Sequence, residues 1–149
     1  MNIDTGRALL GNFSYPTAIR FGNGRIDELP DACAKLGISR PLLITDPGLA
    51  ESDMVRSALA LCTESGLPAL PFSQLASNPV GRNVADAVAA YRAGSHDGII
   101  GFGGGSAMDV AKATALMVGQ RRPIWDFEDR EDWYLRADAN AIAPVVAVP

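Results

Sequence analysis

An apolar run, Gly98-Ile99-Ile100-Gly101-Phe102, passes directly into three consecutive glycines, Gly103 to Gly105, and then into a helix-period segment that opens Ser106-Ala107-Met108-Asp109. A short run with no polar alternation reads as a strand covered on both faces. The glycines remove every Cβ where the backbone must turn sharply from strand to helix. The first amides of a helix lack intrahelical acceptors and sit at the positive end of its dipole, so a phosphate can stand in for the missing acceptors. Ser106-x-x-Asp109 has the form of a capping box, which predicts Ser106 as the helix cap with Asp109 available to the first-turn amides. Two readings follow from this segment: a phosphate cradle, or an ordinary capped turn.

The rest of the chain repeats strand and helix signals in alternation. Residues 17–21 read as a strand, and the Gly22-Asn23-Gly24 turn leads to a helix over 26–36 that Pro30 makes irregular and Gly37 stops. Pro41-Leu42-Leu43-Ile44-Thr45 is a compact apolar strand ending at the turn Asp46-Pro47-Gly48. A helix over 52–64 follows, with Met54, Val55, Ala58, Leu59 and Cys62 predicted on its apolar face. A strand over 69–72, the Asn78-Pro79 turn and a helix over 83–92 complete the approach to the glycine segment. Beyond it, Ala107, Ala111 and Ala115 recur at i, i+4 and i+8, a stripe that lets a helix backbone lie close to a neighbour. Residues 122–138, charged and aromatic, read as a long loop or short helix, and residues 143–149 as an apolar strand ending at a proline. The expected fold is α/β: an open, mostly parallel sheet with helices on both faces, in one domain over 1–149.

At 149 residues, such a chain buries roughly 70% of its unfolded surface without staples. A net charge of −4 with scattered Lys and Arg excludes a phosphate-backbone partner such as nucleic acid. Cys33 and Cys62 stand alone in helix-like segments and match neither a disulfide framework nor a zinc pattern, so both are expected as small buried apolar groups. The first residues lack a signal-peptide core and no run approaches a membrane span, which gives a cytoplasmic expectation. His96, just before the glycine strand, is expected as a turn residue.

In an open α/β sheet the ligand lies beyond the carboxyl ends of the strands, where Asp46 and the Gly103–Ser106 loop can share a crevice. A carboxylate there accepts hydrogen bonds from ribose hydroxyls and repels a 2′-phosphate, favouring NAD over NADP. Asp46 precedes the glycines, however, whereas the ordinary dinucleotide fingerprint places its acid about 20 residues after them. An Asx-type turn ahead of Pro47-Gly48 is the alternative role for Asp46.

Four segments taken in order, Phe21-Gly-Asn-Gly24, Leu43-Ile-Thr-Asp-Pro-Gly48, Asn78-Pro79 and Gly101-Phe-Gly-Gly-Gly-Ser-Ala-Met-Asp-Val-Ala-Lys112, closely resemble the N-terminal domain of iron-containing (group III) alcohol dehydrogenases. The same architecture implies a wider relationship to glycerol dehydrogenase and dehydroquinate synthase. The resemblance implies a dehydroquinate-synthase-like N-terminal fold and NAD as cofactor. It implies that Gly103, Gly104, Gly105 and Ser106 form the pyrophosphate site, that Asp46 faces the adenosine ribose and that Asn78 lies along the cleft. Asp109 and Lys112 match positions deeper in the cleft, with a helix-capping Asp109 and a structural Lys112 as alternatives. In that family a second, helical domain supplies one aspartate and three histidines to iron or another divalent metal, and members commonly self-associate. This sequence contains only His96, so the metal-binding domain is expected to be absent and the chain to be a cofactor-domain fragment, inactive alone.

Three functions are open at this level. The first is the NAD-binding half of an enzyme that interconverts an alcohol with its aldehyde or ketone. The second is a freestanding nucleotide-binding or regulatory module, for example a receiver domain phosphorylated on Asp46; the glycines argue against that version. The third is a dehydroquinate-synthase-like lyase with the same fold and cofactor.

Overall fold

The computed structural model describes residues 11–14 and 17–149. Two short strands, β1 (Gly11–Ser14) and β2 (Ala18–Phe21), pair antiparallel with Gly11 opposite Phe21. A 3-10 turn over Arg25–Glu28 then runs into α1 (Leu29–Lys35), and Pro30 falls in its first turn, where a missing N–H costs nothing. The alternation proper follows: β3 (Pro41–Thr45), α2 (Asp53–Glu64), β4 (Leu70–Phe72), α3 (Gly81–Ala93), β5 (Gly98–Phe102), α4 (Gly105–Met117) and β6 (Val145–Val148). Three 3-10 turns, Ile124–Phe127, Trp133–Arg136 and Ala139–Ala141, occupy the charged segment between α4 and β6.

The main sheet has the order β4-β3-β5-β6 with every neighbouring pair parallel. All residues of β3 and β5 are buried, and their two side-chain parities go to two separate cores. Leu43, Ile100 and Phe102 pack with Leu29 and Cys33 of α1 and with Val55, Ala58 and Cys62 of α2. Leu42, Ile44 and Ile99 pack on the other face with Ala87 of α3 and Val110, Ala111 and Ala115 of α4. The expected open parallel sheet with helices on both faces is therefore the observed one. The alanine stripe lies against the sheet as predicted: a Cβ on Gly101 would stand 2.7 Å from the Ala111 Cβ, so the glycine lets α4 come down onto β5.

Several local expectations change. The helix expected to begin near Asn83 starts at Gly81; Asn83 sits in its first turn, where its Oδ1 accepts the Val80 N–H at 3.0 Å. Ser52 does cap α2, accepting the Val55 N–H at 3.3 Å. Met54 is not on the apolar face; it is 58% exposed, one residue off the buried stripe Val55, Ala58, Cys62. Both cysteines are free and buried, and burial pushes the Cys33 thiol up to about 12, with the Cys62 and Asp97 charges adding to it; burial raises Cys62 as well. Neither has thiolate character near neutrality.

At the amino ends of the strands, one carboxylate ties β3 to β5. Asp97 Oδ1 accepts the Ser39 N–H at 3.0 Å and the Arg40 N–H at 2.7 Å, and its Oδ2 accepts the Ser39 hydroxyl. His96 is buried beside the Tyr91 ring, and its Nδ1 lies 3.0 Å from the Arg40 carbonyl. A carbonyl only accepts, so Nδ1 carries the proton. Burial pushes the Asp97 carboxyl up, but the hydrogen bonds from Ser39 and Arg40 outweigh it and leave it below its usual value. A carboxyl lowered by folding contributes stability above its unfolded pKa, and that contribution is lost as pH falls through the folded value. Asp97→Asn is accordingly expected to destabilise the protein at neutral pH, with the gap to wild type closing on acidification below the ordinary carboxylate range. Urea midpoints across that range check it; a pH-independent gap would contradict the tie.

Candidate functional site

The chain leaves β3 towards the face that holds α2 and leaves β5 towards the face that holds α4. Adjacent strands whose exits diverge in this way open a crevice beyond their carboxyl ends, the usual ligand position of open α/β sheets. Because β3 and β5 pair in register from Pro41 opposite Gly98 to Thr45 opposite Phe102, the next residue on each strand, Asp46 and Gly103, meets at the floor of that crevice.

Gly103 has φ +134°, a conformation L side chains rarely adopt, and its N–H donates to the Val148 carbonyl at 3.0 Å. A Cβ there would lie 2.5 Å from Asp46 Oδ2. That same oxygen accepts the Gly104 N–H at 2.9 Å. Gly104 is the N-cap of α4 and has no side-chain cap. The first helical bond of the turn is Met108 N–H to the Gly104 carbonyl, at 3.1 Å. The predicted capping box is thus corrected: Ser106 is inside the helix, and its hydroxyl donates to the Ser77 carbonyl instead. The sequence pattern misled because the glycines let the helix start two residues earlier than a serine cap would.

The amides of Gly105, Ser106 and Ala107 consequently have no intrahelical acceptor and no capping side chain. Gly104 and Gly105 are both exposed with ordinary backbone angles. A Cβ on Gly104 would have only Asp46 Oδ2 nearby, at 3.6 Å, and a Cβ on Gly105 would meet nothing within 4 Å. Of the three glycines, the fold itself requires only Gly103.

The Ser106–Ser77 bond fixes the following loop beside α4, where Asn78, Pro79 and Val80 face Asp109, Val110 and Ala113 across a cavity of about 370 Å³. Trp125 closes it. The indole rests against Gly81, where a Cβ would stand 3.0 Å from the ring, yet the side chain remains 61% exposed. Asp46, Gly103, Gly104 and Gly105 form one cluster, with Ser106 linking it to Asn78 and Asp109. Lys112 is exposed further along α4 and makes no hydrogen bond or ion pair among the described residues. Sequence reasoning left Trp125 unassigned; its signal was a large aromatic two residues after Pro123 in an otherwise charged stretch. His96 lies at the opposite end of β5 from the glycines. Among the described residues, no group of three or more His, Cys, Asp or Glu side chains is placed to hold a metal ion. Among the same residues, no helix is long and apolar enough to cross a membrane.

A doubly wound sheet with bare helix-start amides at its switch point has, at that point, the chemistry to accept an anionic ligand. Residues 16–149 match the iron-containing alcohol dehydrogenase family, and the chain belongs to that family. It is 30% identical over 137 residues to a choline dehydrogenase of Bacillus subtilis, covering 92% of this chain and 34% of that protein. It is 33% identical over 135 residues to a 4-hydroxybutyrate dehydrogenase of Cupriavidus necator, covering 91% and 35%. Among solved structures, a 1,3-propanediol oxidoreductase superposes with a TM-score of 0.77 at 29% identity, over 85% of this chain and 32% of that one. A sulfoacetaldehyde reductase of Bifidobacterium kashiwanohense in complex with NAD+ gives 0.77 at 25% identity, over 95% and 36%. The chain therefore spans about a third of the length of these relatives.

The geometry makes Gly103 the glycine with a structural cost. Gly103→Ala combines a disfavoured φ with a clash on Asp46 and is expected to lose about 1–3 kcal/mol of stability. Chemical denaturation of the variant checks this; unchanged stability would contradict the strained-turn assignment.

Proposed function

We propose that residues 1–149 are the dinucleotide-binding domain of a metal-dependent alcohol dehydrogenase of the cytoplasm, and that the whole enzyme interconverts an alcohol with its aldehyde or ketone. The single observation that carries the cradle is the pair Gly104 and Gly105. Both have ordinary backbone angles and almost nothing over the missing Cβ, so an arriving group, rather than the protein's own packing, explains why side chains are excluded there. The amides of Gly105, Ser106 and Ala107 donate to the pyrophosphate, replacing the acceptors a helix start lacks. Asp46 has acceptor capacity left after its bond to Gly104, and this serves the adenosine ribose while its charge disfavours a 2′-phosphate, which makes NAD the preferred cofactor over NADP. Asn78 and Asp109 line the continuation of the cleft, and Lys112 stands beyond them as a cation for the same ligand.

Bound NAD supplies the hydride acceptor for oxidation of the alcohol. This chain's residues orient it and hold its phosphates. The described residues do not form a set that fits iron, so no metal-assisted step is assigned to them. The chain's net charge of −4 agrees with a small-molecule ligand rather than nucleic acid. The relatives' names join choline to 4-hydroxybutyrate, a cation to an anion, and support the alcohol group itself as what they share.

Two substitutions test the reading. Gly105→Val points its side chain into open space, so the variant is expected to keep its fold and to lose NAD binding; calorimetric titration showing wild-type affinity would contradict the cradle. Asp46→Asn removes the charge and is expected to raise affinity for NADP relative to NAD; an unchanged ratio would remove Asp46 from the ribose site.

A further inference from the structure

We propose that Asp46 is a positioning residue for the phosphate cradle, holding the amides of the glycine turn in their binding direction independently of any contact with ribose. The proposal rests on the dinucleotide reading for its ligand but on the contact between Asp46 and Gly104 for its cause. Asp46 Oδ2 accepts the Gly104 N–H at 2.9 Å and lies 2.5 Å from where a Gly103 Cβ would stand, too close for one to be accommodated. One oxygen thus fills the space above the φ +134° turn and holds the residue that caps α4.

The contact redistributes the donors. The Gly104 amide, the first of the orphan amides at the helix start, is already taken by a carboxylate, so the pyrophosphate is left with Gly105, Ser106 and Ala107. It also places a negative charge beside an anion site, which by Coulomb's law opposes phosphate binding. Leu49 Cδ1, 3.3 Å from the missing Cβ of Gly103, packs over the turn from the same side, but this contact is apolar and has no direction; the hydrogen bond that orients the turn from the β3 side is the one between Asp46 and Gly104. Without the tie, Gly103 is still held to Val148, but the Gly104 peptide loses its hydrogen bond to β3, and the order lost there must be recovered on binding.

Positioning and simple charge predict opposite signs. Inorganic pyrophosphate, which carries no ribose, is titrated against wild type, Asp46→Asn and Asp46→Ala. If Asp46 positions the cradle, Asp46→Ala binds pyrophosphate about tenfold more weakly than wild type although a repelling charge is gone. Asp46→Asn, which keeps an acceptor oxygen, restores or exceeds wild-type affinity. Equal tightening in both variants would overturn the proposal. Hydrogen exchange of the Gly104 amide, read without ligand, is expected to be slow in wild type and Asp46→Asn and fast in Asp46→Ala; equal rates in all three would also overturn it. Should Asp46→Ala not fold, Asp46→Glu retains the charge and displaces the carboxylate: positioning predicts weaker pyrophosphate binding, and unchanged affinity contradicts it. If wild type binds neither pyrophosphate nor NAD, the dinucleotide reading fails, and the exchange rates still decide whether Asp46 orders the turn.

Discussion

The in-register pairing of β3 with β5 is the constraint on which the rest of the molecule depends. These strands are the fully buried pair of the sheet, and their register decides which residues emerge together at its carboxyl edge. A slip by one residue would send Leu42 and Ile44 to the wrong core and separate Asp46 from Gly103. The register is pinned from the amino end by Asp97, which bonds the Ser39 and Arg40 amides at the entrance to β3. At the carboxyl end the Gly103 N–H on the Val148 carbonyl ties the turn to β6, and Asp46 ties it to β3. The two acids bracket the central pair.

Within the glycine turn, the same residue type serves two physical purposes. Gly101 and Gly103 answer to the protein: one lets Ala111 approach the strand, the other adopts a left-handed φ under a carboxylate. At Gly104 and Gly105 no packing forbids a Cβ: Asp46 Oδ2 lies 3.6 Å from the Gly104 position, and nothing lies within 4 Å of the Gly105 position. Ser106 belongs to a different kind of link again, spending its hydroxyl proton on the Ser77 carbonyl and so joining the helix start to the loop of Asn78. The site is held by long-range ties from two loops rather than by a local cap.

Much of this was legible in the sequence because its signals were local. Apolar runs at 41–45 and 98–102 gave the central strands, since a strand covered on both faces needs no alternation. The alanine spacing gave the close face of α4. Family membership followed from ordered motifs, and the match over residues 16–149 bears that out. What failed depended on tertiary context. Ser106 and Asp109 have capping-box spacing, but whether a serine caps depends on where glycine lets the helix begin, and Asp46, far away in sequence, had already taken the Gly104 amide. Met54 satisfied helical periodicity within one residue's rotation and still turned outward. The partner of β2 was missed because Gly-Asn-Phe-Ser carries no strand pattern of its own. Trp125 could not be assigned to the cleft until the 3-10 turn carrying it was placed against Gly81.

The central claim is that the helix-start amides at the switch point bind the pyrophosphate of NAD. The most direct measurement is a residue-resolved amide spectrum of the protein titrated with NAD. The account predicts saturable shifts concentrated at Gly105, Ser106 and Ala107, with Asp46 and Asn78 following at the same midpoint. Saturable binding whose shifts fall elsewhere, for instance along the groove of Ile26, Met54, Leu61 and Phe102, or no binding at all, would contradict it.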